Sequence, residues 1–501
     1  MVKHAGGVLL PGLKVEPEAG MPITVQIAGT LRNLILSGDL QPGERLPSTR
    51  TLAEDIGVSR TTVVNVYDQL TTEGIITSRV GAGAFVSDAL ELRRPIKLKL
   101  SSAKKQSREH RPRLANLSAD ASQQYSPRLP HPDNPLPFTT GIPAFDVFPM
   151  AQWARLSAEF LREPRADVLR YPDSNGLMAL REAIAVHLRA NRGITCSADE
   201  VFIFNGAQDA FNRIGFTLLD PGDVVWYENP GTIGARNSLI TCGVRLIPVP
   251  VDEEGISVEE GLRLAPNFRL AFVTPAHQHP LGVTMSLKRR FELLRAAERA
   301  GAWIVEDDFV GEFHYSGRPP PTLKSVDEGG RVIYVGTFSK SLFPALRLGY
   351  LVAPPKLVET FHRIVSATVQ GAPTHFQSVV ARFIQEGHFA AHIRRMRKVY
   401  AERKDALLDA AARHLDGLVT VKQTETGFHT NARLAPEFDE LDVARRAAEK
   451  RVVVTPISRF AVAPVSQTGL ILGFSSIPPP AIEAGVETLA QVLENLRSPT
   501  P

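Results

Sequence analysis

Between Pro22 and Val86 the apolar positions first recur at helical spacing and then alternate. Ile23–Ser37 carries them three and four apart, and the polar turn Gly38-Asp39-Leu40-Gln41-Pro42-Gly43 closes that pattern. Pro47-Ser48 opens a second, short helix through Ile56, with Ser48 as its cap. Gly57-Val58 turns the chain, and Ser59 caps a third helix that runs to about Glu73 and stops at Gly74. Val63, Val66, Tyr67 and Leu70 form its buried stripe. Ile75–Val86 reads as a hairpin. Two helices joined by a tight Gly-containing turn and followed by a hairpin predict a winged helix-turn-helix over residues 20–88.

From Pro137 the pattern changes. Val201–Asn205, Val224–Tyr227, Val244–Val249, Leu270–Thr274, Trp303–Glu306, Val332–Gly336 and Leu348–Ala353 are short runs, apolar on both faces and mostly separated by helix-length segments. Strands buried on both faces read this way, so an α/β domain with a seven-stranded, mostly parallel sheet is expected over residues 137–501. Val452–Thr455 and Leu470–Phe474, after a mainly helical stretch, predict a small α+β subdomain at its end. Residues 89–136 lie between the two, polar and dotted with proline. Asp88–Arg113 alone holds nine Lys or Arg against three acids, too little apolar area to offset chain entropy, so a flexible basic linker is expected.

Composition narrows the classes. Hydrophobic residues are 43% and charged residues 22%, enough for a large core. The net charge of +4 is too small to argue by itself for nucleic acid or an anionic membrane. Two cysteines, Cys196 and Cys242, exclude a disulfide scaffold and leave no cysteine cluster for a metal. No apolar run reaches the roughly 20 residues that span a bilayer. Met1–Gly20 lacks an apolar stretch followed by a small-residue cleavage site, so the cytoplasm is the expected compartment.

The first residues of the third helix, Arg60, Thr61 and Thr62, are what a recognition helix offers a major groove. Ser48, Ser59, Arg45, Arg50, Arg79, Gly81 and Gly83 flank it at positions suited to DNA backbone contacts. The block holds five arginines against six acids, so charge alone equally allows a helical protein-binding module. The string decides. Arg45-Leu-Pro-Ser-x-Arg50, Gly57-Val-Ser-Arg-x-Thr-Val, Tyr67-x-x-Leu-x-x-Glu-Gly74 and Gly81-x-Gly83-x-Phe-Val resemble the winged helix-turn-helix of the GntR family of bacterial transcription regulators, which implies double-stranded DNA as a partner.

The larger block collects chemistry at one end of its sheet, where open α/β folds bind ligands. Gly206-Ala207-Gln208 follows the first strand and opens a helix, an arrangement suited to phosphate. Glu306-Asp307-Asp308 ends another strand, and Thr337-Phe338-Ser339-Lys340 follows the next, with Arg347 seven residues on. A lysine condenses with an aldehyde, a carboxylate keeps a ring nitrogen protonated, and an arginine grips a phosphate. Together they fit pyridoxal 5′-phosphate. Taken singly each has an ordinary explanation, a surface lysine or a helix cap. His277-Gln278-His279 resembles a metal pair, yet lacks a third ligand, and no metal is expected.

Gly206-Ala-Gln, Glu228-x-Pro-Gly, Thr274-Pro-x-His-Gln-x-Pro-x-Gly and Gly336-Thr-Phe-Ser-Lys-Ser-Leu-Phe-Pro-x-Leu-Arg347 resemble fold-type-I aminotransferases. More closely they resemble the aminotransferase-like half of MocR-type regulators. The resemblance implies Lys340 as the Schiff-base lysine and Asp307 as the partner of the pyridine nitrogen. It implies Arg347, Thr337, Ser339, Gly206, Ala207 and Gln208 around the phosphate, and a homodimer in which Tyr171 reaches the other subunit's site. Arg459 matches the arginine for an effector carboxylate. Two positions depart from the pattern: Phe309 replaces a tyrosine, and Thr232 replaces an aromatic that would stack on the ring. The implied function is a pyridoxal-phosphate-dependent regulator that answers to an amine or amino acid and binds an operator with two half-sites. An active aminotransferase carrying a DNA-binding module, and a regulator using this half only as a dimerisation scaffold, are the competing readings.

Overall fold

The computed structural model describes residues 13, 15–16, 20–79, 82–88, 114–128, 134–164, 169–315, 317, 319–465 and 467–497. It divides into two compact units, Met1–Arg111 and Pro112–Pro501.

In the first unit, α1 (Ile23–Ser37), α2 (Thr49–Ile56) and α3 (Arg60–Thr72) precede an antiparallel hairpin of β1 (Ile76–Arg79) and β2 (Gly83–Val86). Ser48 and Ser59 cap α2 and α3 by accepting the Thr51 and Thr62 amides, each at 3.1 Å. The expected stripe of Val63, Val66, Tyr67 and Leu70 is buried against Ile27, Leu31 and Leu52. The Tyr67 hydroxyl donates to the Pro47 carbonyl at 2.9 Å and ties α3 to the loop before α2. Glu44 to Leu46 runs beside β2 through the Leu46 amide to Ala84 and the Val86 amide to Glu44, which fixes the wing to the helices. Gly81, expected among the DNA contacts, lies outside the described residues.

The second unit is built on an eight-stranded sheet. Its strands are β3 (Val201–Phe204), β4 (Val224–Asn229), β5 (Arg245–Asp252), β6 (Gly255–Ile256), β7 (Leu270–Val273), β8 (Trp303–Asp308), β9 (Val332–Thr337) and β10 (Gly349–Val352). Their order is β3-β10-β9-β8-β7-β4-β5-β6. β4, β5, β7, β8 and β9 pair in parallel, while β10 runs antiparallel to both neighbours. All seven expected strands are present. The eighth, β6, is a two-residue return of β5 and too short to show a period. Helices cover both faces, with Ile214, Leu218 and Phe361 packed among one cluster and Leu293, Ala296 and Ala297 among another.

A second, four-stranded antiparallel sheet holds β11 (Val419–Val421), β12 (His429–Leu434), β13 (Thr455–Pro456) and β14 (Leu470–Gly473) in the order β11-β12-β14-β13. The strand expected over Val452–Thr455 shrinks to Thr455–Pro456, and β11 and β12 carry too few apolar residues to stand out in the sequence. Helices His388–His414 and Pro479–Arg497 pack side by side under this sheet.

The expected linker needs a correction. Residues 89–113 and 129–133 lie outside the described residues, but Asn116–Gln124 is a helix. It packs on the helix Ile233–Thr241, where Ala121 is buried and Leu117 reaches Gly243. Leu117 and Ala121 are spaced four apart, a two-residue apolar edge that the polar composition of the stretch conceals.

Candidate cofactor and effector site

The site lies beyond the carboxyl ends of the parallel strands, in an open pocket of about 410 Å³. Its lining includes Gly206, Ala207, Gln208, Asp307, Thr337, Ser339, Lys340 and Arg347, so eight of the residues expected from sequence meet in one place.

β8 explains which carboxylate faces it. Side chains alternate along a strand, so Glu306 and Asp308 point one way and Asp307 the other. Glu306 accepts the Leu323 and Lys324 amides at 2.9 and 2.8 Å, with Arg290 3.6 Å away. Asp308 is bonded to Arg192 and, at 2.7 Å, to the Tyr334 hydroxyl. Asp307 is buried, and its Oδ1 has no hydrogen-bond partner. Burial raises its pKa well above the usual carboxylate value, and the charges of Asp308 and Glu228 push it further. Such an oxygen invites a donor that brings positive charge.

Lys340 sits in the short helix Phe338–Ser341 after β9, capped by the Thr337 hydroxyl through the Ser339 amide at 3.1 Å. Its Nζ donates to the Gly141 carbonyl at 2.5 Å. A Cβ on Gly141 would stand 2.9 Å from that nitrogen, and its φ of 72° also favours glycine. Burial lowers the Lys340 pKa to about 8, with Asp307 acting in the opposite sense, and a sizeable fraction of the amine is therefore neutral and nucleophilic near neutral pH.

The third element is an anion cradle. Gly206 takes φ 92° and ψ 167°, a conformation open only to glycine, at the start of the helix Ala207–Leu218. The amides of Ala207 and Gln208 have no acceptor among the described residues. Arg347, held by its Nη2 bond to the Asn205 carbonyl at 3.0 Å, lies alongside Gly206. Free amides, a helix N-terminus and a guanidinium at one point fit a phosphate monoester.

Thr232 and Phe309 also line the pocket, as do His279, His429 and Phe460. His277, His279 and His429 form an edge-to-face group, with ring centroids 4.7 Å apart for His277–His429 and 5.4 Å for His279–His429. Burial lowers the pKa of all three, so they are neutral. Gly141, Arg128 and His429 are lining residues that sequence reasoning did not single out. Gly141 stands in the string Phe138-x-x-Gly-x-Pro, whose glycine and proline were the available signal.

Tyr171, expected to reach the other subunit's site rather than this one, is 83% exposed and outside the lining. Arg459 is also outside it; its Nη2 donates to the Pro127 carbonyl at 3.5 Å, and its neighbour Phe460 occupies the lining instead. The short 3₁₀ turn Ile457–Phe460 buries Ile457 and Phe460 and turns Arg459 outward.

On the first unit, Arg60 and Thr61 are exposed at the start of α3, with no acidic residue in its first turn. Ser48 and Ser59 are engaged as caps, and Thr62 shares the Ser59 hydroxyl at 2.8 Å. Arg50 pairs with Glu54 at 3.0 Å. Arg79 lies 4.8 Å over the Phe85 ring and 3.5 Å from Asp88, and Arg45 is exposed beside Gly83.

Fold and site define a winged helix-turn-helix joined to an aminotransferase-type α/β body. The comparisons agree: residues 134–474 match the family Aminotransferase class I and II, and residues 23–86 match the bacterial regulatory proteins of the gntR family. The chain is 39% identical to the probable rhizopine catabolism regulatory protein MocR of Rhizobium meliloti over 490 residues, 97% of each chain. It is 33% identical to the HTH-type transcriptional regulator TauR of Rhodobacter capsulatus, over 92% of this chain and 94% of that one. Among solved structures, the kynurenine aminotransferase of Pyrococcus horikoshii is 30% identical with a TM-score of 0.67, covering 72% of this chain and 90% of the other. The α-aminoadipate aminotransferase LysN of Thermus thermophilus is 28% identical with a TM-score of 0.67, over 76% and 95%. The chain belongs to the MocR-type branch of GntR-family transcription regulators. No helix among the described residues is long and apolar enough to cross a membrane.

Proposed function

We propose that this regulator binds pyridoxal 5′-phosphate in the pocket of Lys340 and uses it to sense an amine or amino acid. The observation that carries the reading is the presence, in one pocket, of the Lys340 amine and the unpartnered Oδ1 of Asp307. The residues present fit the cofactor. Arg347, Thr337, Ser339 and the amides of Ala207 and Gln208 would hold its phosphate, and Asp307 would face its ring nitrogen. When bound, the cofactor supplies an aldehyde carbon for exchange between amines.

This chain's residues do the rest. The Gly141 carbonyl orients the Lys340 nitrogen. Asp307 holds a proton on the group it faces, and gains a partner for its orphaned oxygen by doing so. Arg347 and the helix start fix the anionic end, which sets where an incoming amine must arrive. Phe309 and Thr232 leave the pocket without a hydroxyl and a stacking ring that the family pattern carries, while the covalent anchor remains. That balance favours capture of an amine over rapid turnover.

DNA contact through α3 and the wing fits Arg60, Thr61 and Thr62 with Arg45, Arg50, Arg79 and Gly83. A homodimer acting on two half-sites in the cytoplasm is part of the proposal. The exposure of Tyr171, with exposed Leu161 and Leu169 close to it in sequence, supports a partner on that side. Arg459 remains a candidate for the effector carboxylate only if the loop that carries it turns inward.

The test is borohydride reduction of the full chain in pyridoxal 5′-phosphate, followed by peptide mass spectrometry, with Lys340→Ala as control. A modified Lys340, and an amine-dependent change in operator affinity, are expected. An unmodified Lys340 refutes the reading. Retention of Lys340, Asp307 and Arg347 together also suits an active aminotransferase, and turnover with a keto acid would establish that instead.

A further inference from the structure

Residues 125–128 end a described stretch that was expected to be flexible, yet each is bonded to the body of the second unit. The Tyr125 hydroxyl meets the Thr241 Oγ1 at 3.0 Å. Asn237 holds Ser126 from both sides: its Oδ1 accepts the Ser126 amide at 3.1 Å and its Nδ2 donates to the Ser126 carbonyl at 2.8 Å. Arg459 donates to the Pro127 carbonyl. Arg128 then enters the lining of the Lys340 pocket, and its Nη2 donates to the Gln208 Oε1 at 2.7 Å.

Gln208 is the second residue of the helix whose first amides form the anion cradle. Its Nε2 is fixed by the Gly234 carbonyl at 2.8 Å and by Ser238, so its Oε1 is held toward Arg128. A neutral amide oxygen uses one of a guanidinium's five donors, and Arg128 has no carboxylate partner among the described ion pairs. A phosphate monoester accepts two parallel bonds from such a fork and neutralises its charge.

We propose that Arg128 is a second arginine for the phosphate of the bound cofactor, alongside Arg347, so that phosphate binding fastens residues 116–128. The proposal rests on the pyridoxal-phosphate reading. It goes further, because the fastened stretch is the one that leads back along the chain to the DNA-binding unit. Coupling of this kind is reciprocal: what tightens the segment tightens the phosphate, and release of either loosens the other.

The experiment is hydrogen exchange of the peptide spanning 116–128 in the full chain, alone and with pyridoxal 5′-phosphate, pyridoxal or inorganic phosphate. Slower exchange is expected with pyridoxal 5′-phosphate and with millimolar phosphate, and none with pyridoxal even where reduction shows it attached to Lys340. Arg128→Gln should weaken pyridoxal 5′-phosphate by about ten- to a hundredfold, the loss of a charged hydrogen bond, and abolish the protection. Arg128→Lys should restore part of both. Equal protection by pyridoxal, protection by free phosphate but not by the cofactor, or an Arg128→Gln affinity within twofold of the parent overturns the inference. If neither aldehyde attaches to Lys340, the underlying cofactor reading fails instead.

Discussion

Asp307→Asn should move two measurements in opposite directions. In the chain without ligand, Asp307 is a buried carboxyl whose Oδ1 finds no donor, with Asp308 and Glu228 adding like charge. Its folded pKa is raised above the ordinary 3.8, so the folded state binds the proton more tightly than the unfolded one. Stability therefore falls as pH rises from about 4 through the raised folded value, by the linkage between protonation and folding. Asparagine, nearly isosteric and uncharged, removes that loss, so the ligand-free variant should melt higher than the parent at neutral pH. The bound state reverses the sign. Asparagine cannot stabilise a protonated ring nitrogen, and losing a hydrogen bond to a charged group costs about 1.5–3 kcal/mol. Converted at 1.4 kcal/mol per decade, affinity for pyridoxal 5′-phosphate should fall by roughly ten- to a hundredfold. Differential scanning fluorimetry with and without cofactor, with a visible absorbance titration, reads both. A variant that melts lower without ligand, or binds the cofactor as tightly as the parent, refutes the assignment of Asp307.

Capture of the aldehyde by Lys340 should accelerate about tenfold between pH 7 and pH 9, because the neutral amine fraction grows through its pKa of about 8. Stopped-flow absorbance checks this, and a flat profile would remove the neutral amine from the argument. Gly206→Ala should cost about 1–3 kcal/mol of stability from backbone strain alone. Its new Cβ would stand at an ordinary 3.6 Å from Arg347, so a larger loss in urea unfolding would point to a clash that the geometry does not contain. Arg60→Ala should weaken operator binding by about 1–3 kcal/mol if the guanidinium reads a base. If it touches only phosphate, binding weakens on all sequences and the salt dependence drops by about one ion. Fluorescence anisotropy on specific and scrambled duplexes separates the two, and an unchanged affinity on both excludes α3 as the contact.

Elements with strong local signals were legible in the sequence. α2 and α3 begin at the serine caps that the sequence shows and α1 ends at its glycine turn, because capping is a contact between residues two or three apart. The seven strands of the main sheet stood out because burial on both faces demands apolar runs. Lys340, Arg347 and the Gly206 turn were legible because glycine, lysine and arginine were each required by backbone or charge. What escaped depends on tertiary contact. Among Glu306, Asp307 and Asp308 only the family resemblance picked out Asp307, because which face of β8 meets the pocket is set by packing. The docking of residues 116–128 required seeing a partner surface, since Leu117 and Ala121 are too few to declare a helix and only Ala121 is buried. That Arg459 stands outside the lining while Phe460 lies in it follows from a 3₁₀ turn that aims adjacent side chains oppositely, which sequence order does not reveal.

The charges around the pocket form a pattern that is complete only with an occupant. At one end Arg347, the two free amides and Arg128 present positive charge, with Arg347 and Arg128 each bonded to a neutral oxygen. At the other, Asp307 is a carboxyl with no cation beside it closer than the Lys340 amine, whose own proton is held weakly. His279 and His429, which line the pocket, are neutral, so they supply neither sign. An occupant that is anionic at the helix start and cationic at β8 relieves both ends at once, and one carrying a single charge relieves only one. Each end therefore gains more when the other is filled, which is positive coupling inside the pocket. If Arg128 takes the phosphate as proposed, that coupling includes residues 116–128. A ligand can shift an equilibrium only by its differential affinity for the two states. On the proposal above, the differential would be the exchange of the Gln208 amide for a phosphate at Arg128.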